Sequence, residues 1–175
     1  METRSGTTYP LDVSVVLPAL DEEHTIGECI TKIQKVFHDN AINGEILVVD
    51  SSSDKTATIA QSLGARVIKP EKSGYGNAYL TGFEYAHGRY IVLGDSDNTY
   101  DFSEIPKLLA PLKTGADFVI GSRFKGTIQS GAMTPLHRYL GNPVLTWMIN
   151  VIFQTHFTHA SSSIGGSPSN ESLGW

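Results

Sequence analysis

A regular alternation of short apolar runs with helical patterns is the feature that most constrains this fold. The run Ile46–Val49 is apolar at every position, which is typical of a strand covered on both faces, as in parallel sheets. Between Ile26 and Phe37 the apolar residues instead recur at helical spacing. This alternation along the chain predicts an α/β layered sandwich with a mostly parallel central sheet. The predicted strands are Val13–Leu17, Glu45–Asp50, Ala65–Lys69, Tyr90–Leu93 and Ala116–Ile120, and the predicted helices are Ile26–Phe37, Thr56–Leu63, Ala78–Ala86 and Phe102–Leu112.

The length of the chain predicts a single folded domain with a tail at each end. A chain of 175 residues has the size of one domain with a real hydrophobic core. The polar residues 1–10 predict a flexible N-terminal tail without a signal peptide. Residues 159–175 are poor in apolar side chains and predict a disordered, atypical tail. The folded domain is therefore expected over residues 11–158, and no apolar stretch reaches the roughly 18 residues of a membrane span.

Charge and cysteine usage narrow the partners and the compartment. The formal net charge of −5 argues against nucleic acid as a partner, because binding to a phosphate backbone requires a basic face. The single cysteine, Cys29, cannot support a disulfide framework and fits a reducing compartment. Its position in a helical pattern predicts a core residue rather than a nucleophile.

Polar side chains follow the predicted strands at their carboxyl ends. In open α/β sheets ligands bind outside these ends. Loops from five strands are therefore expected to converge on one rim and to form a ligand site there. The residues concerned are Asp21, Glu22, Asp50, Lys72, Asp95, Asp97 and Arg123.

The triplet Asp95-Ser96-Asp97 follows the apolar run Ile91–Leu93. Two carboxylates separated by one residue repel each other, and a divalent cation relieves that repulsion. Hard oxygen ligands suit Mg²⁺ or Mn²⁺, and magnesium is commonly held by one or two carboxylates while the substrate supplies phosphate oxygens. The alternative is a solvated turn, because Asp, Ser and Asn all favour turns.

The carboxylates after the first two strands each have two interpretations. Asp50 could accept hydrogen bonds from a ribose or a base edge, whereas Ser53 or Asp54 could simply cap the following helix. Asp21 and Glu22 form a second carboxylate pair, and the alternative for them is the start of a surface helix.

Three basic residues are candidates for phosphate contacts. Lys72 opens the glycine-bearing loop Lys72–Asn77, which has neither Walker-type spacing nor the three-glycine dinucleotide fingerprint. Arg123 follows the fifth predicted strand, where a guanidinium suits diphosphate recognition by paired hydrogen bonds. Arg138 is a second arginine candidate. Taken alone, the Lys72 loop is a weak signal, and each arginine is more typical of a surface charge than of a phosphate ligand.

Five segments occur in the order and spacing of a known family. With them the chain resembles the inverting, GT-A-fold glycosyltransferases of the large family that contains dolichyl-phosphate mannose and glucose synthases. The resemblance covers residues 12–158, and the stretch from Gly131 to Pro143 is most similar to the branch that uses polyprenyl phosphates. The segments are Val15–Glu23, Val48–Asp50 with Ser53-Asp54, Gly74–Ala78, Asp95–Tyr100 and Gly121–Phe124.

The resemblance implies a nucleotide-diphospho-sugar transferase fold with a donor site and a metal site. Asp95 and Asp97 would hold Mg²⁺ or Mn²⁺, and Asp97 and Arg123 would be the catalytic residues that act on the leaving diphosphate. The donor-binding residues would be Pro18, Asp21, Glu22, Asp50, Lys72, Asp95, Ser96, Arg123 and Arg138.

For the reaction, the resemblance implies transfer of a hexose, with inversion, from a donor of the UDP-glucose or GDP-mannose type. The acceptor would be a polyprenyl or dolichyl phosphate. The protein would act in the cytoplasm, peripherally at the cytoplasmic face of a membrane. The apolar segment Pro143–Phe157 would bind the membrane surface weakly, and an ordinary core helix is the alternative for that segment.

The chain departs from the family pattern after Thr158. The family continues with an acidic residue, a small residue, glycine and arginine, which form part of the acceptor site, whereas this chain reads His159–Gly166. The catalytic domain is therefore expected to be incomplete at its C-terminal end. One alternative is a donor-binding module without transferase activity. Another is a sugar nucleotidyltransferase, which favours a glycine-rich basic loop where Pro18–Glu23 is acidic.

Overall fold

The structure is a computed structural model that describes residues 9–121 and 165–168. The chain divides into two compact units, Met1–Val119 with Gly165–Trp175, and Ile120–Ile164. The strands are β1 (Leu11–Ala19), β2 (Gly44–Asp50), β3 (Arg66–Ile68), β4 (Gly88–Leu93), β5 (Val119–Ile120) and β6 (Gly165–Pro168), and the helices are α1 (Ile26–Asp39), α2 (Thr56–Ser62), α3 (Tyr75–Tyr85) and α4 (Ile105–Lys113).

The strands form one mixed sheet in the order β3-β2-β1-β4-β6-β5. β1 is parallel to β2 and to β4, and β2 is parallel to β3. Parallel neighbours need crossover connections, which α1, α2 and α3 supply. The predicted α/β architecture with a mostly parallel sheet is therefore confirmed, with each predicted strand and helix present at slightly different bounds.

The middle of β1 is the centre of the core. Every residue from Val13 to Ala19 is buried. Successive side chains of a strand point to opposite faces, so the complete burial of both Val15 and Val16 means that both faces of the sheet are covered. On one face Val16 packs with Leu47 of β2 and Ala78 of α3.

β1 continues through Pro18, beyond the predicted end of that strand at Leu17. Pro18 pairs in register with Val49 of β2. Its carbonyl accepts a hydrogen bond from Ser96 in the loop after β4, so its nitrogen points to the side on which β4 has already ended. No ladder hydrogen bond is lost there, which explains why a proline is tolerated.

Two helices begin differently from the sequence prediction. α3 begins at Tyr75 rather than Ala78, directly after Gly74, whose φ of +126° is unfavourable for residues with a side chain. The predicted helix Phe102–Leu112 starts as a 3-10 turn, Phe102–Glu104, before α4. Asp101 caps this turn, because its carboxylate accepts from the Ser103 N–H at 3.0 Å.

Part of the predicted C-terminal tail forms a strand. The backbone of Gly165–Pro168 pairs antiparallel with β4, with Leu93 opposite Gly165 and Tyr90 opposite Pro168. Ladder hydrogen bonds use backbone groups and need no apolar side chains, so composition did not reveal this strand. The structure differs from the predicted disorder at these residues, and the rest of 159–175 lies outside the described residues.

A polar cluster joins the strands near the edge at which they begin. Ser14 donates to Glu45 Oε1 at 2.6 Å and accepts the Gly88 N–H at 2.8 Å. Arg66 donates to Glu45 Oε2 at 2.8 Å. Burial raises the pKa of Glu45, but hydrogen bonds from Ser14, the His87 N–H and Arg66 outweigh this, so its pKa lies below the ordinary value. The ionised carboxylate therefore stabilises the folded chain.

We predict that Glu45→Gln lowers the free energy of unfolding at pH 7 by about 1–3 kcal/mol, because it removes charged hydrogen bonds. A lowered folded pKa gives stability that is present above the unfolded pKa of about 4.3 and is lost as pH falls through the folded value. The difference between the proteins should therefore shrink below about pH 4. Urea unfolding at pH 7 and below about pH 4 measures this difference, with the exposed Glu71→Gln as control. A difference independent of pH would contradict the role of the ionised carboxylate.

We also predict that Gly88→Ala destabilises the fold, because a Cβ there would lie 2.3 Å from the Ser14 nitrogen and 2.4 Å from the Val13 carbonyl carbon. Backbone atoms must move to admit it, at a cost of about 1–3 kcal/mol. The matched control is Gly76→Ala in α3, where a Cβ meets nothing within 4 Å and stability should rise by about 0.5–1 kcal/mol. Equal unfolding midpoints in urea for both variants would refute this packing argument.

Candidate functional site

The ends of β1, β2 and β4 bring three polar loops to one edge of the sheet. Ala19, the last residue of β1, pairs with Asp50, the last residue of β2. The Ser51 N–H donates to the Ala19 carbonyl at 3.0 Å. The loop after β4 reaches the same edge, because Ser96 Oγ donates to the Pro18 carbonyl at 2.7 Å. Three of the expected five loops are thus brought together by direct contacts.

The loop after β1 is fastened to the loop after β2 by Asp21. The Asp21 N–H donates to Ser52 Oγ at 2.7 Å, and its carboxylate accepts the Ser53 N–H at 2.9 Å. Asp21 has a φ of +57°, a left-handed conformation that aspartate tolerates better than most residues. The carboxylate therefore has a structural partner in the loop itself.

Glu22 and Glu23 extend this connection. The Glu22 N–H donates to Thr56 Oγ1 at 2.9 Å, and the Glu23 N–H donates to Asp54 Oδ2 at 3.1 Å. Glu22 Oε2 also accepts from Thr25 Oγ1 at 2.6 Å, directly before α1. These contacts of Glu22 are those of a residue at the start of a helix, which was the alternative to donor binding.

Asp50 is the buried carboxylate between these loops, with 7% of its surface exposed. Its Oδ1 accepts from the backbone N–H and the hydroxyl of Ser52. Its Oδ2 makes no hydrogen bond within residues 9–121. The capping alternative is met by Asp54, which accepts the Thr56 N–H at 2.9 Å. The capping contact is therefore made by Asp54, and the ligand-binding role of Asp50 stays a prediction.

Ser96, the middle residue of the Asp95-Ser96-Asp97 triplet, anchors the loop after β4. Ser96 is buried, and its carbonyl accepts from Cys29 Sγ of α1 at 3.4 Å. Asp97 is exposed, and its Oδ1 accepts from the N–H and the hydroxyl of Thr99 at 3.0 and 2.7 Å. The hydroxyl of Ser96 donates to the Pro18 carbonyl and so holds the loop, and the donor-binding role of Ser96 stays a prediction.

Two side chains of α1, Cys29 and Lys32, contact the loop after β4. Burial raises the pKa of the Cys29 thiol to about 11, which agrees with the predicted core role rather than a nucleophile. Lys32 donates to Asn98 Oδ1 at 2.7 Å. Asn98 has a φ of +64°, a left-handed conformation that asparagine tolerates better than most residues. The contact with Lys32 helps to hold this residue directly after Asp97.

Tyr75 and Tyr79 contact Asp95, and sequence reasoning missed both. The hydroxyl of Tyr75 donates to Asp95 Oδ1 at 2.6 Å, and that of Tyr79 donates to the same oxygen at 3.2 Å. Burial and the Asp95 carboxylate together raise the pKa of Tyr75, and burial raises that of Tyr79. The available signal was the four-residue spacing of two tyrosines at the start of a helix.

The acidic residues after β4 fit a hard divalent cation by their chemistry. Asp95 and Asp97 supply carboxylate oxygens, and both are at least partly exposed. Within residues 9–121 no group of three or more His, Cys, Asp or Glu side chains is gathered for a metal. Two carboxylates without nitrogen or sulfur ligands suit Mg²⁺ or Mn²⁺ that completes its coordination with water and phosphate oxygens.

The basic candidates are only partly described. Lys72 is exposed in the loop between β3 and α3. Arg123, Arg138 and the segment Pro143–Phe157 lie outside the described residues. None of the helices within residues 9–121 has the length and apolar character needed to cross a bilayer.

Comparison with known proteins gives one family. The family model described as "Glycosyl transferase family 2" matches residues 14–166. The low-salt glycan biosynthesis hexosyltransferase Agl6 of Haloferax volcanii is 47% identical over 153 residues, which are 87% of this chain and 37% of that protein. A dolichyl-phosphate hexose transferase of the same organism is 36% identical over 123 residues, 70% of this chain and 51% of that protein.

A solved structure supports the same assignment. Glucosyl-3-phosphoglycerate synthase from Mycobacterium tuberculosis, in complex with Mn²⁺, UDP and phosphoglyceric acid, has a TM-score of 0.68 and 26% identity. The match covers 91% of this chain and 56% of that chain. The GT-A fold expected from the sequence is therefore confirmed. The chain spans about one third to one half of the length of the two Haloferax relatives.

We predict that Ser96→Ala lowers the free energy of unfolding by about 1–3 kcal/mol, because it leaves the Pro18 carbonyl without its buried donor. The control is Ser73→Ala at an exposed loop position, where the change should stay within about 0.5 kcal/mol. Urea unfolding followed by circular dichroism gives both values. Equal stability of the two variants would show that the hydroxyl does not hold the loop.

Proposed function

This chain belongs to glycosyl transferase family 2, and on that premise we propose that it transfers a hexose from a nucleotide-diphosphate sugar to a polyprenyl or dolichyl phosphate. The observation that carries the proposal is the position of Asp95 and Asp97 on a loop tied to the end of β1 by Ser96. That position is the edge at which ligands bind in parallel α/β sheets. The donor is of the UDP-glucose or GDP-mannose type.

The donor nucleotide is proposed to lie against the ends of β1 and β2. Asp50 supports this, because it is buried and its Oδ2 makes no hydrogen bond to the described residues, which suits recognition of a ribose or base. Pro18, Asp21 and Glu22 then act through the shape of the loop, since Asp21 and Glu22 bond to the neighbouring loop. The solved relative in complex with UDP supports a nucleotide as part of the donor.

Asp95 and Asp97 are proposed to hold Mg²⁺ or Mn²⁺ beside the donor diphosphate. Bound there, the cation would offset negative charge on the leaving nucleoside diphosphate. Asp97 is exposed, and the N–H and hydroxyl of Thr99 donate to its Oδ1. These hydrogen bonds fix the orientation of the Asp97 carboxylate relative to the loop. Arg123, Arg138 and Lys72 are proposed to contact phosphate oxygens, with Arg123 acting on the leaving group.

The acceptor is proposed to be a lipid phosphate, as the names of the dolichyl-phosphate relatives suggest. Its phosphate oxygen is anionic at neutral pH and attacks the anomeric carbon while the bond from that carbon to the diphosphate breaks. An anionic nucleophile needs little help from a general base. The site therefore acts mainly by bringing two anions together and stabilising the leaving group.

A peripheral position at the cytoplasmic face of a membrane follows from such an acceptor. The segment Pro143–Phe157 is proposed to meet the membrane surface, because it is apolar and nearly without charge. Since it lacks a lysine-rich polar face, its binding would be weak.

The proposal is tested by calorimetry with UDP-glucose and with GDP-mannose, each with and without Mn²⁺. We predict Mn²⁺-dependent binding of at least one donor and a loss of about tenfold or more in that affinity for Asp97→Asn. The control is Asp12→Asn at the opposite end of β1, which should bind as the wild type does. No binding of either donor at millimolar concentration would refute the donor site, and unchanged Mn²⁺ dependence in Asp97→Asn would refute its role as a ligand.

The transfer step is measured separately with radiolabelled donor and a polyprenyl phosphate. Appearance of label in the lipid fraction establishes the transferase activity of this chain. Donor binding without transfer instead supports the donor-binding module.

A further inference from the structure

Two tyrosines of α3 share one oxygen of Asp95. We propose that Tyr75 and Tyr79 occupy Oδ1 of Asp95, confine cation binding to Oδ2, and so make the site selective for Mg²⁺ or Mn²⁺ over Ca²⁺. The inference rests on the proposed function, since it assigns Asp95 to a metal site. It adds two positioning residues and a selectivity for small cations.

The hydrogen-bond geometry at Oδ1 accounts for the occupation of that oxygen. The Tyr75 and Tyr79 hydroxyl oxygens lie 2.6 and 3.2 Å from Oδ1 and 3.1 Å from each other. The two hydroxyls have only two protons between them, so at most two of these three contacts are hydrogen bonds at one time. In the arrangement in which both protons point to Asp95, each hydroxyl donates to Oδ1. A carboxylate oxygen has about two lone-pair sites. With both hydroxyls donating, Oδ1 has no site left for a cation.

The tyrosine pair is held in place by its own packing. The rings of Tyr75 and Tyr79 meet edge to face, with centroids 4.9 Å apart, an arrangement that aromatic pairs prefer. Tyr79 also packs against the core cluster of Val16 and Ala78. The donors are therefore fixed to the helix, while Oδ2 of Asp95 makes no hydrogen bond within residues 9–121.

Restricting Asp95 to one oxygen discriminates between cations. Ca²⁺ takes six to eight oxygen ligands and often uses both oxygens of a carboxylate, whereas Mg²⁺ requires an octahedral shell and keeps several waters. A carboxylate with one available oxygen supplies a single ligand. This suits the octahedral cation and denies Ca²⁺ one of its preferred binding modes.

The test is a competition experiment with the full chain, using the electron paramagnetic resonance signal of unbound Mn²⁺. Mn²⁺ is titrated in the presence of UDP, and separately of GDP, and then displaced with Ca²⁺. Solutions of nucleotide without protein correct for binding to the nucleotide. The proteins compared are the wild type, Tyr75→Phe, the double variant Tyr75→Phe with Tyr79→Phe, and Tyr85→Phe as the matched control. Tyr85 lies on the same helix and is exposed.

We predict that the ratio of the Ca²⁺ to the Mn²⁺ dissociation constant falls by about fivefold or more in the double variant. Tyr75→Phe should give an intermediate fall, and Tyr85→Phe should leave the ratio unchanged. Tyr75 is 61% exposed and phenylalanine keeps the ring, so the single variant should fold as the wild type does. A general loosening of the fold would instead weaken the binding of Mn²⁺ and of Ca²⁺ together and leave the ratio of their dissociation constants unchanged. An unchanged ratio in the double variant therefore overturns the inference.

The wild type separates this inference from the proposed function. If it binds Mn²⁺ and the double variant has the same ratio, the donor and metal sites stand and the role of the tyrosines is refuted. If the wild type binds no Mn²⁺ with either nucleotide, both proposals are overturned.

Discussion

The burial of β1 between β2 and β4 is the constraint on which the rest of the structure depends. From Val13 to Ala19 the strand is buried, and its one polar side chain in that stretch, Ser14, is bonded to Glu45 and the Gly88 N–H. A strand with neighbours on both sides and layers on both faces can present polar loops only beyond its ends. Those loops are therefore forced to one edge, together with the loops of β2 and β4.

The carboxylates at that edge divide into two kinds by what they contact. The carboxylates of Asp21, Glu23 and Asp54 accept backbone hydrogen bonds that fasten the β1 loop to the β2 loop. Asp50 and Asp95 each have one oxygen held by neighbouring groups and a second oxygen without a hydrogen bond among the described residues. Holding one oxygen fixes the orientation of the other, as in the preorganised polar groups of a rigid scaffold.

The sequence predicted the alternating elements because their signals are local. An unbroken apolar run such as Ile46–Val49 and helical spacing from Ile26 to Phe37 are both properties of short windows. Asp95 and Asp97 were predicted as site residues for the same reason, because they are two charges beside an apolar strand. By contrast, β6 was missed because it is specified by the open edge of β4 and not by its own composition.

What the sequence determined by itself is the α/β layering, the order of the elements and the edge at which the polar residues meet, since these follow from periodicity and from the direction of parallel strands. Only the tertiary structure decided which oxygen of each carboxylate is used. Ser96 turned out to anchor its loop to Pro18, and Tyr75 to hold Asp95, across separations of 78 and 20 residues. Such contacts depend on how helices and loops pack on the sheet, which no local pattern encodes.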